Sequence, residues 1–210
     1  MNLKNIKRKN ENYLISQEIP IVENLPIYDV GKVRNEKQTA RRAVLCYAIA
    51  GLANDASPMK LKKWLEEERL WNNLLDLEKT YFSKTIYSKQ EIIDFSWHKE
   101  CLYTLCWIGG IIEELDMPFE ECSLDSIFSK IPPEITVDNF IDNFHYISNN
   151  TIIETADLYY RIHSTTHHPE LWKESKKAYM LNMSVIRERR RTFEWVLDDK
   201  TIWTDISLDT

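Results

Sequence analysis

Glycine is scarce in this chain, and its scarcity argues against two kinds of structure. Only four glycines occur among the 210 residues, whereas phosphate-binding loops and tight β-hairpins both depend on glycine. The sequence also contains no nucleophile elbow, Walker loop, dinucleotide-binding fingerprint or kinase signature. No common enzyme class is therefore indicated by a motif.

Long apolar runs are missing as well. The longest, residues 101–112, has about half of the roughly 20 residues that a membrane-spanning helix needs. No apolar segment follows the lysine-rich first ten residues, so we expect no secretory signal. The four cysteines lack CxxC spacing and lie mostly among apolar neighbours, which is typical of reduced thiols in a protein core. We therefore expect a cytoplasmic protein with no membrane partner.

The chain has no excess of positive charge. Its formal net charge of −6 argues against a nucleic-acid partner. Residues 187–191 include four arginines, but on a helix these side chains spread around the cylinder and do not form one basic face. We expect no nucleic-acid partner.

Helical patterns dominate from Thr39 onward. Apolar residues recur at three- and four-residue spacing, and Ser57-Pro58 and Ser88 carry capping signals. These patterns predict an all-α, single-domain bundle of about seven to nine helices, occupying residues 35–210. Residues 1–34 lack helical periodicity and are predicted to form an extended N-terminal arm.

The predicted central helix runs from Trp97 to about residue 115. Gly109 and Gly110 lie within it, although glycine is a poor helix former. We therefore expect a neighbouring helix to approach closely at this point.

Charged residues lie on helix faces that are otherwise apolar. Glu100 shares a face with Trp97 and Trp107, and Asp157 precedes Arg161 by one helical turn. A buried carboxylate without a partner is strongly destabilising or takes up a proton. We therefore predict that six charged residues from distant helices neutralise one another. They are Arg42, Glu100, Asp157, Arg161, Glu188 and Arg189, with an aromatic lining of Trp97, Trp107, Tyr160 and Trp195.

This cluster has two interpretations. It is either a structural network that fixes how the helices align, or a polar pocket whose carboxylates act as acid, base or ligand anchor. Structural ion pairs shift pKa values just as functional sites do, so the structural interpretation is favoured.

Three histidines near the end of a predicted helix are candidate metal ligands, but they do not make a complete site. His163 and His167 are spaced to share a helix face, and His168 follows. Two histidines make an incomplete zinc site, and Pro169 indicates that the helix ends there. We predict no metal and no cofactor.

At several of these residues the chain resembles the DUF4272 family, a domain of unknown function. The resemblance rests on four patterns in a fixed order that together cover most of the chain from about residue 15. They are Arg42-Ala43, Trp97-x-x-Glu100-Cys101-Leu102 ending in Leu105-x-Trp107, Asp157-Leu158-x-x-Arg161 with His163 behind it, and Glu188-Arg189 leading to Phe193 and Trp195. The family pattern commonly has a tryptophan where this chain has Ser164. The resemblance implies a mostly helical domain and implies no activity.

Two functions remain open. The first is a non-catalytic module that binds a protein partner, such as an accessory or immunity protein in bacterial competition. The absence of catalytic motifs favours it, and so does an excess of tryptophan, since Trp71, Trp172 and Trp203 fit no helical stripe and are candidates for an interface. The second is an enzyme or small-ligand receptor that uses the carboxylates of the charged cluster.

Overall fold

The computed structural model describes residues 2–172, 175 and 177–209. Nine α-helices occur in this part of the chain, and no strand occurs in it, so the predicted all-α fold is confirmed. The helices are α1 (Leu3–Ser16), α2 (Glu36–Leu52), α3 (Pro58–Glu67), α4 (Asp76–Tyr81), α5 (Lys89–Ser96), α6 (His98–Ile108), α7 (Val137–Asp142), α8 (Asn149–Thr166) and α9 (Met183–Leu197). No helix in the described residues is long and apolar enough to cross a membrane.

The predicted capping signals start helices as expected. Ser57 precedes α3, whose first residue is Pro58. At α5 the Ser88 hydroxyl accepts a hydrogen bond from the Glu91 backbone N–H at 3.2 Å, and the Glu91 carboxylate accepts one from the Ser88 N–H at 2.9 Å. This reciprocal arrangement satisfies two backbone donors that the helix itself leaves unpaired.

The prediction of an extended arm over residues 1–34 is wrong for its first half. Leu3–Ser16 forms α1, and the Asn2 side chain caps it by accepting from the Lys4 and Asn5 backbone N–H groups. Only Asn10 and Leu14 of this helix are fully buried. Because so few of its positions face the core, few need an apolar residue, and the apolar periodicity in the sequence is weak. Residues 19–34 contain no regular helix or strand.

The central helix is shorter than predicted. α6 ends at Ile108, and Gly110 has a φ of 69°, a left-handed conformation that glycine adopts easily. The close approach expected at this point is present. A Cβ atom at Gly109 would lie 2.3 Å from Cε2 of Phe144, so the neighbour is an aromatic side chain just after α7.

The contacts of this all-α domain fall into two compact units. Unit 1 comprises Met1–Arg34, Leu115–Glu121 and Tyr146–Thr210, and unit 2 comprises Asn35–Glu114 and Cys122–His145. In unit 1, α9 and α1 both pack against α8; in unit 2, α5, α6 and α7 all pack against α2, which is buried along most of its length. The division into an arm (1–34) and a helical domain (35–210) stays a prediction.

Candidate functional site

The six charged residues of the predicted cluster belong to different units. Arg42 and Glu100 lie in unit 2, whereas Asp157, Arg161, Glu188 and Arg189 lie in unit 1. All six are buried. The partners within each unit decide what each carboxylate is able to do.

Arg42 forms a two-pronged ion pair with Glu78, a residue of α4 that the sequence did not single out. Arg42 Nη1 donates to Glu78 Oε2 at 3.0 Å, and Arg42 Nη2 contacts Glu78 Oε1. The backbone N–H of Leu75 also donates to Glu78 Oε2 at 3.0 Å. Burial alone would raise the pKa of Glu78, but Arg42 and the Leu75 N–H together bring it below its ordinary value. The carboxylate is therefore held ionised. A sequence signal for it is its position three residues after Leu75, where a glutamate commonly bonds back to the helix start.

Glu100 is bonded to a loop. Its Oε1 accepts a hydrogen bond from the backbone N–H of Cys122 at 2.6 Å. Because the carboxylate is completely buried on α6, this bond ties the segment around Cys122 to the helix. A charge-assisted bond of this kind is about twice as strong as a neutral one.

Asp157 and Arg161 form the ion pair that their spacing predicts. Arg161 Nη2 donates to Asp157 Oδ1 at 2.7 Å, and Arg161 Nε donates to Oδ2 at 2.8 Å. Asn10 Nδ2 from α1 also donates to Oδ2, at 2.8 Å, and Glu11 accepts from Arg161 Nη1 at 3.1 Å. Through these bonds the ion pair on α8 holds α1 in place.

Glu188 and Arg189 are neighbours on α9 but have different partners. Arg189 Nη1 donates to the Asp116 carbonyl at 2.7 Å and to the Tyr159 hydroxyl at 3.0 Å. Glu188 lies 3.8 Å from Arg187 Nε and 3.5 Å from Arg191 Nη1.

The predicted aromatic lining is divided in the same way as the charges. Trp97 and Trp107 lie in unit 2, and Tyr160 and Trp195 lie in unit 1. Tyr160 faces the guanidinium of Arg190 at 5.1 Å and that of Arg161 at 6.0 Å.

The guanidinium carbon of Arg34 lies 4.0 Å from the centroid of the Trp195 ring. Trp195 also packs against Trp203, with the ring centroids 5.3 Å apart. Trp203 is buried there, so the prediction that it is available for an interface is wrong.

Unit 1 contains a polar cavity of about 420 Å³, which we call the arginine–histidine pocket. Its walls come from α8, α9 and the C-terminal segment. The lining residues are His163, His167, Arg187, Arg191, Thr204, Ile206, Leu208 and Asp209. The two histidines lie one turn apart on α8, and the two arginines lie one turn apart on α9.

A buried arginine fixes the state of one histidine in this pocket. Arg190 Nη1 donates to His163 Nδ1 at 2.6 Å, and Arg190 Nε bonds Glu194 Oε1 at 3.2 Å. Burial, followed by the nearby Arg190, His167 and Arg187, lowers the pKa of His163 to about 3. His163 is therefore neutral, and because its Nδ1 accepts a hydrogen bond, its proton is on Nε2.

The pocket wall around the two histidines includes Arg187, Arg191 and the carboxylate of Asp209. The ring centroids of His163 and His167 are 4.6 Å apart, and within residues 2–172, 175 and 177–209 no group of three or more His, Cys, Asp or Glu side chains is arranged to hold a metal ion.

Another cavity, in unit 2, is smaller and more apolar. It measures about 300 Å³, and its lining includes Tyr47, Phe128, Pro132, Pro133 and Glu134. Burial and the nearby Glu134 raise the pKa of Tyr47, so this phenol stays protonated and offers a hydrogen-bond donor.

The helices and their paired interior charges define an all-α protein with buried ion pairs. The chain belongs to the family described as Domain of unknown function (DUF4272), whose family model matches residues 6–206. This match confirms the resemblance that the arginine, tryptophan and glutamate patterns indicated. Neither a curated protein nor a solved structure matches the chain.

Proposed function

We propose that this protein is a non-catalytic binding protein that acts through a protein partner. The observation that carries the proposal is a group of exposed apolar side chains in unit 1, which we call the Tyr–Met patch. It consists of Tyr179, Met180 and Met183, whose exposed fractions are 66%, 59% and 50%. Aromatic residues and methionine are enriched where proteins bind one another, and here three such exposed residues occur within five positions.

The surroundings of the patch support one kind of partner. The Tyr179 ring packs edge-on against Trp172 at 5.8 Å between centroids, which orients it. Arg187 follows Met183 by one turn of α9, and 68% of its side chain is exposed. Positive charge therefore lies next to Met183 on one face of α9. We infer a partner segment with apolar side chains next to carboxylates, because such a segment would satisfy both features.

The interior carboxylates favour this function over an enzyme. Asp157 is bonded to Arg161 and Asn10, and Glu78 is bonded to Arg42. Neither carboxylate lines the arginine–histidine pocket or the cavity beside Tyr47. A general acid or base has to reach its substrate within hydrogen-bond distance. These ion pairs are better suited to fixing helices than to catalysis.

The test is to purify the tagged full-length protein from its native cells at natural expression. We expect one protein to co-purify in equimolar amount with the wild type. The double variant Tyr179→Ser/Met183→Ser should recover at least roughly tenfold less of it, because central apolar anchors contribute most of the binding energy.

The matched control is Ile86→Ser, which removes an apolar side chain that is 84% exposed in unit 2. It should recover as much partner as the wild type. The proposal is wrong if no equimolar protein co-purifies with the wild type, or if the patch variant and Ile86→Ser retain it equally.

A further inference from the structure

We infer that the arginine–histidine pocket binds the phosphate group of a small phosphorylated molecule. This inference goes beyond partner docking and does not depend on it, since Tyr179, Met180 and Met183 do not line the pocket. Arg187 borders both surfaces, so the phosphate site is tested by direct titration and not by partner recovery. Basic side chains from two helices line this pocket. Arg187 and Arg191 from α9 and His163 and His167 from α8 converge on one cavity in a chain whose net charge is −6. The two guanidinium groups repel each other, so their presence in the wall of one cavity points to an anionic occupant.

The two arginines supply hydrogen-bond donors to the pocket. Arg191 Nη2 donates to the Trp203 carbonyl at 3.0 Å, and its guanidinium lies 5.1 Å from the centre of the Trp203 ring. These contacts hold Arg191 in place before any ligand arrives. A guanidinium carries five N–H donors, so this bond and the contact with Glu188 leave donors for a ligand. Arg187, which is largely exposed, supplies a second guanidinium group with N–H donors.

The two histidines differ in what they offer a ligand. His163 keeps its proton on Nε2, because Arg190 occupies Nδ1. It therefore contributes a neutral N–H donor without adding another positive charge. His167 Nδ1 donates to the His163 backbone carbonyl at 3.0 Å, so the Nε2 of a neutral His167 ring is an acceptor and adds no donor for the ligand. Two guanidinium forks and an imidazole N–H match the several acceptor oxygens of a phosphate better than the two of a carboxylate.

Carboxylates around the pocket oppose the binding of an anion. Glu188 lies 3.5 Å from Arg191 Nη1, and Glu194 bonds the underlying Arg190. Asp209 lies in the pocket wall, where its Oδ2 accepts from the Ser207 hydroxyl at 2.8 Å. An anionic ligand would be repelled by Asp209. Removing that charge should therefore strengthen binding, which is the opposite of the effect of removing an arginine.

The size and the remaining walls indicate the rest of the ligand. The volume of about 420 Å³ exceeds that of a bare phosphate and lies within the range of roughly 300–1,000 Å³ for small-molecule sites. Ile206 and Leu208 add apolar surface to the wall. A phosphate ester of a small organic group would use both the basic and the apolar parts.

The experiment is isothermal titration calorimetry of the full-length protein with inorganic pyrophosphate at low ionic strength. We expect one binding site per chain in the wild type. Arg187→Gln should weaken binding roughly tenfold, as expected for the loss of a charge-assisted bond. Asp209→Asn should tighten it several-fold. Arg191→Gln is less suitable alone, because Arg191 also holds the Trp203 carbonyl.

Arg8→Gln serves as the matched control, because it removes the same charge from an exposed position on α1 that does not line the pocket. Its affinity should stay within about twofold of the wild type, because Arg8 gives the ligand no donor and a charge exposed to water interacts only weakly with other charges. Lack of binding to the wild type would refute the inference. It would also be refuted if Arg8→Gln weakened binding as much as Arg187→Gln, or if malonate bound as tightly as pyrophosphate.

The two proposals fail separately. Loss of the co-purifying protein in the Tyr179→Ser/Met183→Ser variant tests the patch and leaves pyrophosphate binding unchanged. Loss of pyrophosphate binding in Arg187→Gln tests the pocket.

Discussion

Arg42 and Glu78 illustrate how a single buried charge is accommodated in this protein. Both side chains are almost completely buried, and the carboxylate receives donors from the guanidinium and from the Leu75 backbone. Removing one member of such a pair leaves a buried charge with less compensation, whereas removing both avoids that penalty. The effects of Arg42 and Glu78 on the stability of the protein are therefore strongly coupled.

We predict that Glu78→Gln lowers the free energy of unfolding by about 3 kcal/mol, in line with the loss of one partner of a buried pair. The double variant Arg42→Met/Glu78→Gln should lose less than the sum of the two single variants, with a coupling of at least about 1 kcal/mol. Urea unfolding followed by circular dichroism measures all three values. Strictly additive losses would show that the pair is not coupled.

Sequence reasoning finds buried charges more easily than their partners. Asp157 and Arg161 are predictable as a pair because one helical turn separates them, and the structure has them bonded. Arg42 is recognisable from the apolar face that it shares, but Glu78 lies 36 residues away. That pairing is set by how α4 packs, which no local spacing reveals. The role of the six-residue cluster as a site stays a prediction.

At the scale of helices, the end of α6 shows what limited the predicted boundaries. Apolar residues continue past Ile108, so periodicity alone extends the helix to about residue 115. The contact between Gly109 and the Phe144 ring and the left-handed Gly110 end it earlier. The glycine pair signalled a close approach correctly, but the identity of the neighbour depends on tertiary structure. α1 was missed because it buries only a narrow stripe.

We expect Gly109→Ala to destabilise the protein by about 1–3 kcal/mol, the usual effect of overpacking. The added methyl group would overlap the Phe144 ring, which is buried and cannot move away easily. Combining it with Phe144→Leu should produce less loss than the sum of the two single variants. Thermal unfolding provides the comparison.

Gly51→Ala is the control for this substitution. A Cβ atom at Gly51 would lie 3.5 Å from the Ala56 Cβ, an ordinary contact. Because alanine favours helices over glycine by up to about 1 kcal/mol, this variant should be neutral or more stable. Equal destabilisation by both alanines would contradict a specific clash at Phe144.

At the scale of the whole molecule, the buried His163 makes stability depend on pH. Its pKa is about 3 in the folded protein, against about 6.5 in an unfolded chain. Between these values the unfolded chain binds a proton that the folded chain does not. The free energy of unfolding therefore falls as the pH decreases from 6.5 towards 3, by up to about 1.4 kcal/mol per pH unit from this residue.

We predict that His163→Gln has a shallower dependence of stability on pH than the wild type between pH 7 and pH 5. Glutamine keeps an acceptor for Arg190 but does not titrate. Urea unfolding at several pH values measures the slopes. Ile86→Ser, which changes an exposed side chain in unit 2 without altering any titratable group, should keep the wild-type slope. Parallel slopes for the wild type and His163→Gln would contradict the prediction.

The fold class and the family are the features that the sequence determines most directly. Helical periodicity is spread over many residues, so errors at single positions do not change the all-α prediction. The arginine–histidine pocket was not predicted, although His163, His167 and the arginine run were all noticed. Its lining brings together α8, α9 and residues 204–209, which only the packing of unit 1 makes adjacent.

The two bonds from Asn10 to α8 also bear on the order of events during protein synthesis. Asn10 donates to Asp157, a residue made 147 positions later. At a ribosomal rate of about 5–20 residues per second, α1 emerges on the order of ten seconds before its binding site exists. Residues 35–145 are synthesised during this interval. Unit 2 therefore has its full sequence available before α8 and α9, which belong to the same unit as α1, have been made.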